Sequence, residues 1–192
     1  MGEAAKNLPY TLEDWIELEK TATVRHEFED GVFRAMTGGS GTHNTIALNF
    51  ADALARAAKQ QKCRRYVSDM KMVANGHGYY PDFTLSCGPK GSNPYVEYNP
   101  CFIVEVISPT SAKRDQGEKR TNYMLMPSLE QYVLVHADKV QVEVYRRQEG
   151  YWQFTEHRTL EDSFEVACLN EPIILEQIYD DVALELNNEE NI

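Results

Sequence analysis

Two apolar runs in this chain each carry one acid where a purely structural strand needs none: Asp82 follows Pro81 and leads Phe-Thr-Leu, and Glu105 interrupts Phe102-Ile-Val-Glu-Val-Ile107. Short apolar runs bounded by Pro and Gly read as buried strands. An ionised carboxylate in such a strand is costly unless it is paired or bound to a metal. Two acids on adjacent strands of one sheet form the hard-oxygen donor set that Mg²⁺ or Mn²⁺ takes, usually one or two protein carboxylates with waters and substrate oxygens. Near such an ion, a side-chain cation can position an attacking water or offset charge developing on a phosphate. Lys119 can play that part if its helix packs at the end of the Glu105 strand. The competing structural reading makes Asp82 a turn-forming acid and Glu105 half of a buried ion pair with Lys119 or an Arg.

The elements that must position these residues can be read in order. Thr11-Leu-Glu-Asp14 has the form of a helix N-cap with an acidic first turn, opening a short helix to about Lys20. Arg25 to Met36 reads as a hairpin turning at Asp30-Gly31. Glu27 lies near its start and, on the residues alone, reads as an exposed strand acid. Gly38 to Thr42 is a flexible break. Ser40 or Thr42 caps the amphipathic helix that follows, on which Ile46, Phe50 and Leu54 recur every four residues. His43, at the helix start, reads as a capping or water-facing residue that could reach a phosphate.

Tyr66 to Ala74 alternates as one strand, Asn75-Gly76 turns, and Tyr79 to Ser86 reads as the next strand. Cys101 to Ile107 is the most continuous apolar run and is expected at the centre of the sheet. Ser108 to Ser111 can cap a helix over roughly 112–126, on which Asp115 and Lys119, then Lys119 and Tyr123, are four apart. Strands are expected over 132–136, 140–146 and 151–155, a short element begins at Ile173, and 187–192 reads as a frayed tail.

The bulk numbers narrow the classes. At 192 residues the chain is read as one domain, with a core of about 8–184 and an acidic tail. No apolar run approaches the roughly 20 residues of a membrane span, and the N-terminus lacks a secretory signal core, so a cytoplasmic protein is expected. Cys63, Cys87, Cys101 and Cys168 are scattered without a CxxC pair and read as reduced core thiols. The net charge of −11 counts against a nucleic-acid partner. That objection weakens on inspection. Ten acids and no Lys or Arg follow Arg158, which leaves −1 over residues 1–158, and bases cluster at Lys59, Lys62, Arg64 and Arg65 and at Lys113, Arg114, Lys119 and Arg120.

At the candidate residues the chain resembles a known group. Pro81-Asp82, then Ile103-Val-Glu-Val-Ile-Ser-Pro-Thr110, Asp115-x-Gly-Glu-Lys119 and Pro127-Ser-Leu-x-x-Tyr132 look like the Uma-two family of restriction endonucleases, a branch of the PD-(D/E)xK nuclease superfamily. Arg25-His-Glu27, Asp30-Gly31, Gly38-Gly39-Ser40 and His43-Asn44 match upstream, so the resemblance runs from about Leu8 to Leu184. Each piece is weakly specific, while their order and spacing together are strongly so.

The resemblance implies a restriction-endonuclease-like α/β fold, a mixed sheet flanked by helices with the acids near one edge of the core. It implies Asp82 and Glu105 as metal ligands, Glu27 as an acid beside them, and a Mg²⁺- or Mn²⁺-dependent endonuclease acting on DNA. One position departs from the superfamily pattern: the lysine of ExK falls at Ile107. Lys119 is the substitute expected from similar families, and Lys71 competes with it. Without a lysine at the site the alternative is a nuclease fold kept as a nucleic-acid or protein binding module. The one-sided alternation of Val140 to Thr155 suits a homodimer interface.

Overall fold

The computed structural model describes residues 9–108 and 115–184, with the side chains of Asp115 and Gln116 excepted. In chain order the elements are α1 (Leu12–Leu18), β1 (His26–Glu29), β2 (Val32–Ala35), α2 (Gly41–Ala53), α3 (Ala55–Gln60), β3 (Arg64–Val67), β4 (Lys71–Ala74), β5 (His77–Tyr79) and β6 (Phe83–Ser86). These are followed by β7 (Val96–Glu97), β8 (Phe102–Ile107), a π-type turn (Asp115–Lys119), α4 (Arg120–Met124), β9 (Gln131–His136), β10 (Val142–Gln148), β11 (Tyr151–His157), β12 (Ser163–Val166), a 3₁₀ turn (Ala167–Leu169), β13 (Glu171–Ile174) and α5 (Leu175–Ile178). The fold is the expected mixed α/β arrangement of sheet and flanking helices.

The central sheet runs β11-β10-β9-β8-β6-β3. Its β8–β9 pair is parallel and its other pairs are antiparallel. Every residue of β8 is buried, as a strand covered on both faces requires. One face, with Phe83, Leu85, Val104 and Val106, packs on Ile46 and Phe50 of α2 and on the C-terminal elements. The other, with Ile103 and Ile107, packs on Met72, Ala74 and Tyr79 of a second sheet and on Tyr123 of α4. That second sheet runs β2-β1-β5-β4-β7. Its far side covers Trp15 of α1, together with Phe28 and Tyr80.

Two runs read as single strands are each divided between the sheets. The stretch from Tyr66 to Ala74 becomes β3 in the central sheet and β4 in the other, and Asp69 between them takes a left-handed φ of 83°. Arg25 Nε donates to Asp69 Oδ1 at 3.4 Å. The stretch from Tyr79 to Ser86 likewise becomes β5 and β6, parted at Pro81, which has no N–H to give a ladder. Alternation in sequence is blind to such a crossing, because both halves keep a period of two. The hairpin turns hold as expected: Asp30-Gly31 (φ 49° and 79°) and Asn75-Gly76 (φ 50° and 79°) have the paired positive φ of a type I′ turn.

The helix expected over 112–126 is shorter and kinked. Gly117 has φ −102° and ψ −112°, and regular helix begins only at Arg120. Its expected start at 112–114, and the tail at 187–192, lie outside the described residues. The cysteines also differ from expectation. Cys63 and Cys87 form a disulfide across 24 residues of sequence. The antiparallel register Arg64↔Ser86, carried one residue further, sets them opposite each other. Scattered sequence positions conceal a cross-strand pair of this kind.

The contact between α1 and the second sheet is close. Trp15 is fully buried, and its Nε1 donates to His26 O at 2.5 Å. A Cβ at Gly78 would lie 2.6 Å from the Trp15 ring. Gly78→Ala is therefore expected to destabilise the chain by about 1–3 kcal/mol, the range for overpacking a filled site. Urea unfolding followed by tryptophan fluorescence measures it, and an unchanged midpoint would refute the packing assigned to Trp15.

Candidate active site between the two sheets

Strand alternation decides what each acid faces. On β1, Phe28 joins the α1 side, which sends Glu27 and Glu29 to the other face, toward the central sheet. On β8, Val104 and Val106 face α2, so Glu105 shares the opposite face with Ile103 and Ile107. The acids of the two sheets thus converge on one seam. Lys119, from the π-type turn, enters that seam with Nζ 3.0 Å from Glu27 Oε1 and 2.8 Å from Glu105 Oε1. All three residues are buried, at 3–4% exposure. Glu27 is therefore a core acid rather than the exposed strand residue its local sequence suggests.

Tyr123, four residues after Lys119, donates its hydroxyl to the same Glu105 Oε1 at 2.9 Å. Complete burial first, and the charge of Glu105 second, push its phenol well above the ordinary 10.0. It is therefore a fixed donor at neutral pH. The i,i+4 relation read from sequence is what aims both groups at one carboxylate. The Lys119 ammonium also lies 5.6 Å from the Tyr79 ring centroid and 6.0 Å from that of Tyr123, within cation–π range.

Asp82 immediately precedes β6. Its Oδ2 accepts from the backbone N–H of Val106 at 2.7 Å, and its Oδ1 lies 2.7 Å from His43 Nε2. The β6–β8 register Phe83↔Val104, extended by one residue, sets Asp82 opposite Glu105. The two acids singled out in the sequence are therefore neighbours. By its place at the helix start, His43 reads as a capping or solvent residue. Its backbone N–H is indeed capped by Ser40 Oγ at 3.2 Å, but its ring reaches Asp82. The packing of α2 on β6, seen in Phe50 against Phe83 with ring centroids 5.9 Å apart, brings it there. No local motif announces that approach.

Lys71 goes elsewhere. It sits on β4 with Nζ 5.8 Å from the Tyr80 ring centroid. Burial, and then the nearby Arg25, hold its ammonium below the usual lysine range. Of the two candidate lysines, Lys119 is the one that meets Glu27 and Glu105. Ile107, at the ExK position, is fully buried and packs in the apolar cluster with Tyr123 and Leu134.

A cavity of about 620 Å³ opens beside Asp82, lined among others by Arg25, Gly38, Gly39, Ser40, His43 and Ser108. A second, of about 500 Å³, lies on the Glu29 side, where Tyr79 OH donates to Glu29 Oε1 at 2.9 Å and Asn122 donates to the same hydroxyl at 2.8 Å. The four acidic and basic groups thus form a buried seam flanked by two open ends. Three carboxylates, one ammonium, one phenol and one imidazole can hold a hard cation, present a positive charge to an anionic substrate and bind a water. A second ion pair, Arg64 of β3 with Glu97 of β7 at 3.1 Å, also joins the two sheets, away from this seam.

The fold is that of a known class. Residues 12–174 match the Uma2 family, described as "Putative restriction endonuclease", and the chain belongs to that family. Two Synechocystis proteins, both uncharacterized, are similar to it. The protein slr1290 is 28% identical over 172 residues, covering 87% of this chain and 90% of that one, and sll1609 is 29% identical over 152 residues, covering 76% and 86%. The crystal structure of an Anabaena variabilis protein, described as "a putative nuclease belonging to DUF820", superposes with a TM-score of 0.72. It shares 17% identity and covers 89% of this chain and 98% of its own, a likeness of fold.

The buried phenol of Tyr123 makes a pH prediction. Its pKa is raised in the folded state, so its contribution to stability is complete below the unfolded value of 10.0 and is lost as pH rises beyond it. Urea midpoints are expected to fall above pH 10 more steeply for the natural chain than for Tyr123→Phe. Equal slopes for the two would show that the phenol is not buried against Glu105.

Proposed function

We propose that this protein is a divalent-metal-dependent endonuclease that hydrolyses phosphodiester bonds in DNA at the Asp82–Glu105–Lys119 seam. One observation carries the reading: Asp82 is fastened to the backbone of Val106, one residue past Glu105, while Lys119 rests on Glu105 itself. Family membership supports the reaction class, and the match to the Anabaena protein supports the fold.

The donor set fits the metal. Asp82 and Glu105 offer hard carboxylate oxygens, with Glu27 nearby through Lys119, and hard oxygens are what Mg²⁺ and Mn²⁺ take. Asp82 and Glu105 would hold the ion. When bound there, it supplies Lewis acidity toward the scissile phosphate and its attacking water. The chain's own groups have separate tasks. The Lys119 ammonium offsets charge that develops on the phosphate, in a setting of low effective dielectric. Tyr123 fixes the rotamer of Glu105 by donating to Oε1. His43 and the Val106 N–H fix Asp82 in the same way. Arg25 and the Gly38–Gly39 segment line the cavity beside Asp82, where a phosphate backbone can approach with little steric hindrance.

Nicking of supercoiled plasmid with Mg²⁺ or Mn²⁺ tests the assignment. Asp82→Asn, Glu105→Gln and Lys119→Met are each expected to slow cleavage by about 100-fold or more, as loss of a preorganised charged group does. Lys71→Met should leave the rate within about two-fold, because its ammonium lies beside the Tyr80 ring and not in the seam. Cleavage that survives both carboxamide substitutions would sink the proposal.

Ile107 in the apolar cluster favours a second reading, a nuclease fold that binds nucleic acid or protein without turnover. Salt-sensitive DNA binding with no nicking at any metal concentration would select it. A homodimer through β11 belongs to the same proposal, since this outermost strand exposes Tyr151 and Phe154 and two-strand cleavage needs two sites. Sedimentation at working concentration should give twice the chain mass of 22.0 kDa. A monomer there removes the dimer.

A further inference from the structure

All four cysteines of the chain meet at the end of β6 and β8 opposite the acid seam. Asp82 precedes β6 and Cys87 follows it, while Cys101 precedes β8 and Glu105 lies near its far end. Four residues of extended chain separate Asp82 from Cys87, five steps or about 17 Å at the rise of a strand. Cys63 enters from the start of β3 and Cys168 from the 3₁₀ turn after β12. The sulfurs of Cys87, Cys101 and Cys168 all lie within 4.8 Å of one another. Cys101 Sγ is 3.3 Å from Cys87 Sγ, and Cys63 is bonded to Cys87.

Elements distant in sequence thus bring three sulfurs together, with Cys63 bonded to one of them; Cys101 is buried and the other three cysteines are half-buried. The backbone there is well held: Cys101 N–H donates to Leu85 O at 2.8 Å, and Gln131 bridges Glu165 O and Ala167 N–H at 2.8 and 2.6 Å. The disulfide accounts for Cys63 and Cys87 but not for Cys101 and Cys168, each of which would pack as well against any aliphatic neighbour. A soft metal gives all four a reason to converge.

We propose that the reduced protein binds one Zn²⁺ through Cys87, Cys101 and Cys168, with Cys63 as the fourth ligand. Zn–S bonds of about 2.3 Å in a tetrahedron set sulfurs roughly 3.8 Å apart, a spacing the three clustered sulfurs reach by shifts of about 1 Å or less. The site and the Cys63–Cys87 disulfide exclude each other. An external dithiol opens the disulfide, passing two electrons and two protons to the pair and becoming the cyclic disulfide itself. Each thiol that then ligates Zn²⁺ releases its proton. This metal would be structural, since four protein sulfurs leave it no open position, and it is independent of the nuclease reading.

The test uses the full chain, reduced with a dithiol in the presence of chelator and desalted under nitrogen, then titrated with Co²⁺. Intense thiolate-to-cobalt absorption in the near ultraviolet, saturating at one equivalent and abolished by one equivalent of Zn²⁺, is expected. The oxidised chain should show none. Cys101→Ser and Cys168→Ser should each weaken Co²⁺ binding by at least about ten-fold. Cys63→Ser should keep the absorption at lower affinity, and Asp82→Asn should leave it unchanged. Should the buried Cys101 variant fail to fold, the more accessible Cys168 variant carries the same comparison. Four titratable thiols with no cobalt–thiolate absorption, or absorption indifferent to Cys168→Ser, would overturn the proposal.

Discussion

The structure turns on one ammonium. Lys119 Nζ stands within 3.0 Å of Glu27 and 2.8 Å of Glu105, and these two acids belong to different sheets. Two buried carboxylates facing across a seam repel, and a cation between them converts that repulsion into a cross-link. The sheets also share an apolar contact through Met72, Tyr79, Ile103 and Tyr132, but that contact is non-directional. The ion pairs add direction, fixing where the first sheet's β1 lies against β8. Its two carboxylate partners explain how a lysine, whose burial is normally costly, sits at 4% exposure.

Short antiparallel strands impose a second constraint. β6 has four residues and β8 six, so the groups at their two ends are fully separated by the apolar core between them. Hard oxygens gather at one end and sulfurs at the other. The two donor sets cannot mix, because Phe83, Leu85, Phe102 and Val104 fill the space on the α2 side. A single pair of strands therefore holds a hard-donor cluster and a soft-donor cluster in a fixed relation. Anything that shifts the β6–β8 register disturbs both.

The candidate site was legible in part. Asp82 and Glu105 stood out because an acid in an apolar run conflicts with its surroundings, and that conflict is local. Lys119 and Tyr123 were legible as a pair four apart on a helix, though not as two donors to one oxygen. Glu27 was not legible from its neighbours, since β1 reads His-Glu-Phe-Glu with the alternation of any half-wet strand. Its burial comes from β8, seventy-odd residues away. His43 was hidden for the same reason: its role depends on α2 lying over β6. The disulfide and the sulfur cluster were hidden because spacing along the chain carries no information about cross-strand register.

Hydrophobic periodicity, turn residues and capping signals are properties of a few neighbouring residues, so the chain alone specified the α1 cap at Thr11, the two hairpin turns, an α2 cap at Ser40 or Thr42, of which the structure uses Ser40, and the central place of β8. It also specified, by the resemblance its motifs carry, the family and the acids to watch. Tertiary structure alone decided that the runs at Tyr66–Ala74 and Tyr79–Ser86 each cross from one sheet to the other. It alone chose Lys119 over Lys71 as the partner of Glu105, and it drew four distant cysteines together. The reason is physical: which face of a strand is buried, and against what, is settled by the packing of elements far apart in sequence, and no local pattern encodes that distance.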